Sequence, residues 1–512
     1  MVSENLSSNK RIAKNTLMLY IRMVFVLIIN LYVSRVVLKA LGVEDYGLYS
    51  VVGSVVSFLG FLNTSMASAA QRFLSFAQGR GDGRQLNSIF NSIFAVQVLL
   101  AVFVLFVFES FGIFYINHFL NVNPLKIRDA HVVFQFSIAL FIVNVLTVPY
   151  NASIIANERL DVFALYGIIE VIIKLAIALS LNLFEYNTLI YYSALTFGCG
   201  FVIQALNRWF CRRHFEECSL DLKKINKTMI KEILSYAGWN LFGTFSGVAA
   251  NQGVNMILNS FFGVVVNAAR GISFQVSGAM AQLYTNFQQA LNPQIVKSYA
   301  ANNKNRFFTL IIQGTRLAFF LLFVCALPIL FNMSEILDIW LDKVPEYTTV
   351  FCILVIINSL IGTLSQSLLR GAMATGRIRK YQIVISTITL LNLPFSYIAL
   401  RLYPNPYITV VIMIALSSAA FVARLVLLNQ MAGLPISSFI QGAVLPIVIS
   451  TLFSFGFSLI INVLLPANGG GGRMLVRLFL IFVVCCNVAF VFGMRKEERK
   501  ALLSFIRTKI KR

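Results

Sequence analysis

The chain has 512 residues, of which 58% are hydrophobic and only 12% are charged, whereas soluble domains carry roughly 25% charged residues. So few charges could not cover the surface of soluble domains, and the composition instead predicts a polytopic, mostly helical membrane protein. The net charge of +22 would indicate a nucleic-acid partner in a soluble chain. In a membrane protein it follows from basic residues kept in cytoplasmic loops, so we expect membrane lipids, and no nucleic acid, as partners.

Fourteen apolar stretches, each of roughly 20 residues, follow one another with short polar connections between them. Stretches this long and apolar predict all-α membrane spans, because a spanning segment must satisfy its own backbone polar groups. The first stretch follows Lys10, Arg11 and Lys14 and is too long for a cleaved signal peptide. The predicted spans cover residues 16–38, 46–66, 88–111, 131–156, 161–183, 188–210, 233–258, 264–290, 306–331, 347–369, 381–400, 406–430, 439–465 and 474–494.

The positions of the basic residues predict the orientation of the chain. If the spans alternate in direction from a cytoplasmic N-terminus, 30 of the 42 Lys and Arg residues fall in cytoplasmic segments, eight at outer ends and four inside spans. By the positive-inside rule, this asymmetry places both termini in the cytoplasm. The tail 496–512 mixes cations with apolar residues, which predicts an interfacial helix on anionic lipid.

An internal repeat is visible in the sequence. Residues 14–42 align without a gap to residues 235–263, so that Asn30 falls on Asn251 and the two segments end on matched glycines. Six predicted spans separate the copies, and an even number gives a parallel repeat about an axis along the membrane normal. The predicted domains are a six-helix bundle (1–212), a cytoplasmic linker (213–230), a second six-helix bundle (231–430), an extra helix pair (431–495) and the tail (496–512).

Ionisable residues inside the spans are the first candidates for function, because a charge at mid-membrane is costly unless it meets a cavity or a partner. Glu170 and Lys174 lie four residues apart and can pair on one helix face. This pair is either self-neutralising or an ion-coupling site in which Lys174 tunes Glu170. Arg22, Arg270 and Arg316, with Lys174, predict a cationic substrate cavity, since Arg binds phosphate through paired donors.

Polar stripes on three predicted spans accompany these cations. On a helical wheel, the polar residues of span 7 (233–258) fall within one arc of about 80°. Those of span 8 (264–290) lie within about 60° of Arg270, which is on the same helix. On span 1 (16–38), Arg22 and Asn30 share one side. The stripes either join helices to one another or line the cavity. The predicted polar lining consists of Asn30, Asn240, Thr244, Asn251, Asn255, Asn267, Ser277 and Gln288.

The seven cysteines and three histidines give no sign of a metal site, a cofactor or a catalytic centre. Cys211, His214 and Cys218 are close in sequence, but three ligands fall short of a tetrahedral zinc site, and we expect no disulfides. The longest predicted outer loop, about residues 112–130, leaves little room for the catalytic groups of a glycan polymerase or ligase. An enzyme is therefore the weaker alternative.

Three segments carry a resemblance to a known family. They are KNTLMLYIRMVFVLIINLYVSRVVLKALGVEDYGLYSVVGSVVSFLGFL (14–62), AAQRFLSFAQGRGD (69–82) and LYTNFQQALNPQIVKSYA (283–300). The sequence resembles the O-antigen and polysaccharide flippases of the multidrug/oligosaccharidyl-lipid/polysaccharide exporter superfamily, and the resemblance extends over essentially the whole chain. It implies two bundles that move an undecaprenyl-diphosphate-linked oligosaccharide across the bacterial inner membrane by alternating access. It further implies a cationic central cavity and coupling to a proton or sodium gradient.

The sequence leaves open both the class of substrate and the final product. A multidrug or cation antiporter of the same superfamily would share the fold and differ in the charge of its cavity. Under the flippase interpretation, the product would be a unit of O-antigen, capsule or exopolysaccharide, and polysaccharide polymerase machinery is a possible partner. The departure from the family pattern is the scarcity of deep carboxylates, since Glu170 is the only one.

Overall fold

The computed structural model describes residues 2–118, 126–181, 187–341, 344–465, 471–495 and 498–499, and these residues contain α-helices and short π and 3-10 turns but no β-strand. The helices are α1 (Val2–Phe58), α2 (Gly60–Arg80), α3 (Gly83–Val107), α4 (Ile113–His118), α5 (Ile127–Ala156), α6 (Leu160–Ser180), α7 (Thr188–His214), α8 (Lys227–Phe262), α9 (Val264–Ala300), α10 (Lys304–Phe331), α11 (Met333–Trp340), α12 (Thr348–Thr375), α13 (Arg379–Leu390), α14 (Asn392–Leu402), α15 (Ile408–Ala432), α16 (Ile436–Phe439), α17 (Leu445–Leu464) and α18 (Gly471–Val488).

Eleven helices among the described residues are long and apolar enough to cross a membrane. Each corresponds to one of the fourteen predicted spans. The other three predicted spans, 46–66, 233–258 and 264–290, are also helical but fall outside this apolar set. The all-helical membrane fold is therefore confirmed, while the count of fourteen spans stays a prediction.

The two copies of the sequence repeat turn at the same place. Gly42 interrupts α1 with φ 77° and ψ 173°, and its repeat partner Gly263 separates α8 from α9 with φ 74°. A positive φ costs glycine little because it has no Cβ. Glycine therefore occurs at the matched position of both copies because each copy turns there between its first two helices.

The chain divides into two compact units, residues 1–244 with 296–302 and residues 245–295 with 303–512. In the first unit, α5 packs against α2, α3 and α7, and α1 packs against α6. Phe108, Phe134 and Val104 lie in one buried cluster of this unit. In the second unit, α12 packs against α10 and α15, and α10 also packs against α18.

The predicted linker 213–230 is bound closely to the start of α3. The Nδ2 amide of Asn87 donates to the carbonyl oxygens of Glu217 and Ser219, each at 2.8 Å. Asn91 Oδ1 accepts from the backbone N–H of Asp221 at 2.9 Å. These bonds place the linker in the first unit. The boundary between the two units therefore falls farther along the chain, inside α8.

Buried arginines hold the extra helix pair to the rest of the second unit. Arg477 on α18 is 2% exposed, forms an ion pair with Glu335 and donates from Nε to Asn332 Oδ1 at 2.5 Å. The sequence predicts Arg477 at an outer helix end, and its burial against α10 and α11 was not foreseen. The predicted interfacial tail 496–512 lies outside the described residues, apart from Glu498 and Arg499.

Candidate functional site

The helical hairpin formed by α8 and α9 contains a single charged residue over most of its length. Arg270 is the only charged residue between Ile233 and Val296, although amide and hydroxyl side chains are frequent in the same stretch. A single cation within a long neutral stretch of membrane helix makes the hairpin a candidate binding site.

Arg270 lies near the start of α9 and is 2% exposed. Its Nη1 donates to the backbone oxygen of Asn251 at 3.2 Å and to Oδ1 of Asn255. The guanidinium carbon lies 4.9 Å from the centre of the Phe274 ring. Its buried Nε has no hydrogen-bond partner, and no carboxylate among the described residues pairs with it. Arg270 thus keeps a positive charge and a free donor in a desolvated position.

A cavity of 360 Å³ lies beside this guanidinium. The residues that line it are Asn251, Gln252, Asn255, Asn267, Arg270, Gly271 and Phe274. The structure therefore brings together four residues that the sequence assigns to the substrate cavity, Asn251, Asn255, Asn267 and Arg270. Phe274, Gln252 and Gly271 complete the lining, and neither the aromatic ring nor the glycine carried a signal in a search for polar stripes.

The faces of α8 and α9 that adjoin this cavity are both polar and exposed. Asn251 and Gln252 on α8, and Gln275 and Gln282 on α9, are exposed. Polar side chains on membrane helices face protein or a water-filled cavity rather than acyl chains. These amides lower the hydropathy of both helices, which explains why neither helix is among the eleven that are apolar enough to cross a membrane.

Arg316 has a different environment from the one expected for a cavity residue. It is 1% exposed, and its Nη2 contacts both carboxylate oxygens of Glu498 at 2.5 and 2.6 Å. Its Nη1 donates to the backbone oxygen of Gly442 at 2.8 Å. Arg316 lines neither of the two cavities of the second unit described here. Its charge is neutralised by an acidic partner, and its contacts join α10 to the C-terminal part of the chain.

In the first unit, Arg22, Glu170 and Lys174 form one group between α1 and α6. Lys174 Nζ contacts Glu170 Oε1 at 2.6 Å, and the guanidinium of Arg22 lies 4.7 Å from the centre of the Phe163 ring. Gly167 leaves the space that the Arg22 side chain fills. Glu170 is thus paired with Lys174, and Arg22 gives the group a net positive charge.

The remaining predicted polar residues divide between helix contacts and open surface. Ser277 bonds to Ser359 at 2.9 Å and Gln288 to Ser367 at 2.9 Å, so both fasten α9 to α12. These bonds fit the alternative that polar stripes join helices. Three further predicted positions are Asn240, which donates to the oxygen of Ser65, Thr244, which donates to the oxygen of Asn240, and Asn30, which is exposed on α1.

A second cavity, of 220 Å³, lies in the second unit and shares Asn251 with the first. Polar residues of α8, α12, α13, α14 and α15 line it, including Asn358, Ser365, Asn392 and Arg424. The sequence analysis missed all of these residues except Asn251. The signal was weak because each span contributes only one or two polar residues. No group of three or more His, Cys, Asp or Glu side chains in the described part of the chain could hold a metal ion.

No protein-family model matches the chain, and no curated protein matches it in sequence. Solved structures do match in fold. A MATE protein in complex with MaD3S has a TM-score of 0.71 at 11% identity over 83% of this chain and 97% of that one. An outward-facing multidrug resistance MATE family transporter of the MOP superfamily has a TM-score of 0.70 at 12% identity over 83% and 96%.

A third similar structure is a MOP superfamily transporter from Pyrococcus furiosus, described as having a binding pocket of reversed polarity that suggests a different function. Its TM-score is 0.69 at 12% identity, and the match covers 84% of this chain and 96% of that one. At sequence identities this low, structural similarity establishes the fold but does not identify the substrate. The chain therefore has the polytopic all-helical fold of the MATE transporters of the MOP superfamily.

Proposed function

We propose that this protein is a flippase that moves an undecaprenyl-diphosphate-linked oligosaccharide across the bacterial inner membrane by alternating access. The observation that carries the proposal is Arg270, which is buried, unpaired by any described carboxylate and surrounded by amide side chains at a cavity. A guanidinium in this state favours an anionic ligand and suits the paired oxygens of a phosphate. The surrounding Asn and Gln side chains supply both donors and acceptors for sugar hydroxyls.

The main competing function is export of cationic drugs, which the fold alone allows because a multidrug resistance transporter shares it. A site for a cation would need an uncompensated carboxylate in its lining. The cavity at Arg270 has a cation there instead, and Glu170 in the first unit is paired with Lys174. The sign of the buried charge therefore favours an anionic substrate over a cationic drug.

The test of the proposal is deletion of the gene followed by analysis of lipid-linked sugars in the membrane. We expect diphosphate-linked oligosaccharides to accumulate on the cytoplasmic face, with surface polysaccharide lost, and the wild-type gene to restore it. Normal surface polysaccharide combined with new sensitivity to cationic drugs would instead support the antiporter. Loss of polysaccharide with no accumulation of completed lipid-linked units would point to an enzymatic step.

The group around Glu170 makes a separate prediction about energy coupling. If Glu170 exchanges a proton or a sodium ion during transport, Glu170→Gln should abolish the dependence of transport on the ion gradient, while leaving substrate binding within a few-fold of the wild type. Transport into vesicles with and without an imposed gradient measures this dependence. Cys199→Ser, which changes a neighbouring group whose Sγ contacts the Glu170 backbone, is the control. Unchanged gradient dependence in Glu170→Gln would exclude Glu170 as the coupling group.

A further inference from the structure

One face of α9 carries a regular stripe of three amides, two glycines and one threonine that none of the contacts above explains. Asn267, Gly271, Gln275, Gly278, Gln282 and Thr285 lie within about 80° of one another at 100° per residue. From Gly271 to Thr285 the stripe is about 21 Å long at 1.5 Å per residue. We call this set of six residues the amide stripe. Its length is several times the width of a sugar ring.

The stripe is open along its middle. Gln275, Gly278 and Gln282 are exposed, and neither glutamine amide has a hydrogen-bond partner among the described residues. A Cβ added at Gly271 or Gly278 would meet nothing within 4 Å. The glycines therefore leave free space between the two glutamines, so that an extended polar chain could lie against the helix.

The stripe begins at the cationic cavity. Asn267 and Gly271 belong to the stripe and also line the cavity beside Arg270. Beyond Arg270 the helix carries no charge before Lys297. The surface thus offers one positive charge at one end, followed by neutral donors and acceptors, which matches a ligand with an anionic head and a neutral hydroxyl-rich chain.

We propose that the amide stripe binds the glycan chain of the substrate, with its first sugars at Asn267 and Gly271 and later sugars at Gln275 and Gln282. This inference rests on the proposed function. It adds that the protein distinguishes substrates by the length of the glycan and not only by the diphosphate. The diphosphate end lies at Arg270, and the chain extends toward the C-terminal end of α9.

The test is binding of three defined ligands to the purified full-length protein in nanodiscs. The probes are undecaprenyl diphosphate without sugar, with one N-acetylglucosamine and with a neutral tetrasaccharide. We expect the wild type to bind the tetrasaccharide form most tightly. The variant Gln275→Leu/Gln282→Leu should lose about tenfold for that form, the size of two lost hydrogen bonds, and almost nothing for the form without sugar.

A second variant keeps the test informative if the double variant folds poorly. Gly278→Leu fills the open middle of the stripe and should weaken tetrasaccharide binding in the same selective way. Gly456→Leu is its matched control, because Gly456 on α17 is also an open helical glycine with nothing within 4 Å of an added Cβ. It should leave all three ligands unchanged.

The outcomes separate this inference from the proposed function. Equal binding of the three forms by the wild type, or an equal loss for all three in the variants, would overturn the role of the stripe while leaving the flippase proposal intact. Absence of binding of every diphosphate lipid by a folded wild type would overturn both. Self-association of the wild type that Gly278→Leu abolishes, without an effect on tetrasaccharide binding, would assign the stripe to a second copy of the chain.

Discussion

Replacing Arg270 with Gln should weaken binding of a diphosphate-linked lipid about 10- to 150-fold, because the loss of one charge-assisted hydrogen bond costs about 1.5–3 kcal/mol. The effect should be large because no other charged side chain among the described residues lines the cavity. Arg270→Lys should bind with intermediate affinity, since Lys keeps the charge and loses the planar pair of donors. Binding of undecaprenyl diphosphate and transport of the sugar-linked lipid are the two measurements.

The matched control is Arg401→Gln, which removes an arginine of the same unit from an exposed position. Arg401 donates from Nη2 to the Tyr397 hydroxyl at 2.9 Å and lines neither cavity of this unit described here. Its replacement should leave binding and transport within twofold of the wild type. An Arg270→Gln protein that binds and transports like Arg401→Gln would contradict the assignment of the cationic cavity.

The helices and the surroundings of Arg270 were predictable from the sequence for local reasons. Long apolar stretches require helices in a membrane, and the repeat matched the glycine of the first copy to Gly263. Wheel arithmetic grouped Asn251 with Asn255 on one side of span 7 and Asn267 with Arg270 on one side of span 8, and the structure brings the two sides together at the cavity. The helical faces depend on periodicity within one stretch of sequence, and the matched glycines depend on the internal repeat, so both could be found without knowing any contact between distant segments.

Contacts between distant segments were not predictable in the same way. Arg316 and Arg270 both occur as single arginines within predicted spans, and the sequence assigned them the same role. Arg316 meets Glu498, which is 182 residues away, and no local pattern records that pairing. Phe274 was missed because an aromatic residue on a membrane helix is usually a packing residue, and only its position under Arg270 sets it apart.

Substitution of the two arginines by Met should therefore change stability in different ways. Arg316→Met leaves Glu498 without its ionic partner, although the hydrogen bond from the Arg495 backbone N–H remains, and removal of one member of a buried ion pair typically costs about 3–5 kcal/mol. Arg270→Met removes a buried charge that has no ionic partner in the described chain, so we expect stability to be unchanged or higher, with binding lost. Thermal unfolding of the purified variants in one detergent measures both effects.

A double variant tests whether the charge left on Glu498 causes the loss of stability in Arg316→Met. Glu498 is 15% exposed on its side chain, so Glu498→Gln removes the stranded charge while keeping a polar group of the same size. Arg316→Met/Glu498→Gln should recover most of the stability lost in Arg316→Met, because the larger part of that loss comes from a carboxylate that has lost its counter-ion. If instead Arg270→Met were the more destabilised variant and Arg316→Met were harmless, the two arginines would have exchanged roles. The binding site would then have to be sought near Gly442 and the C-terminal helices.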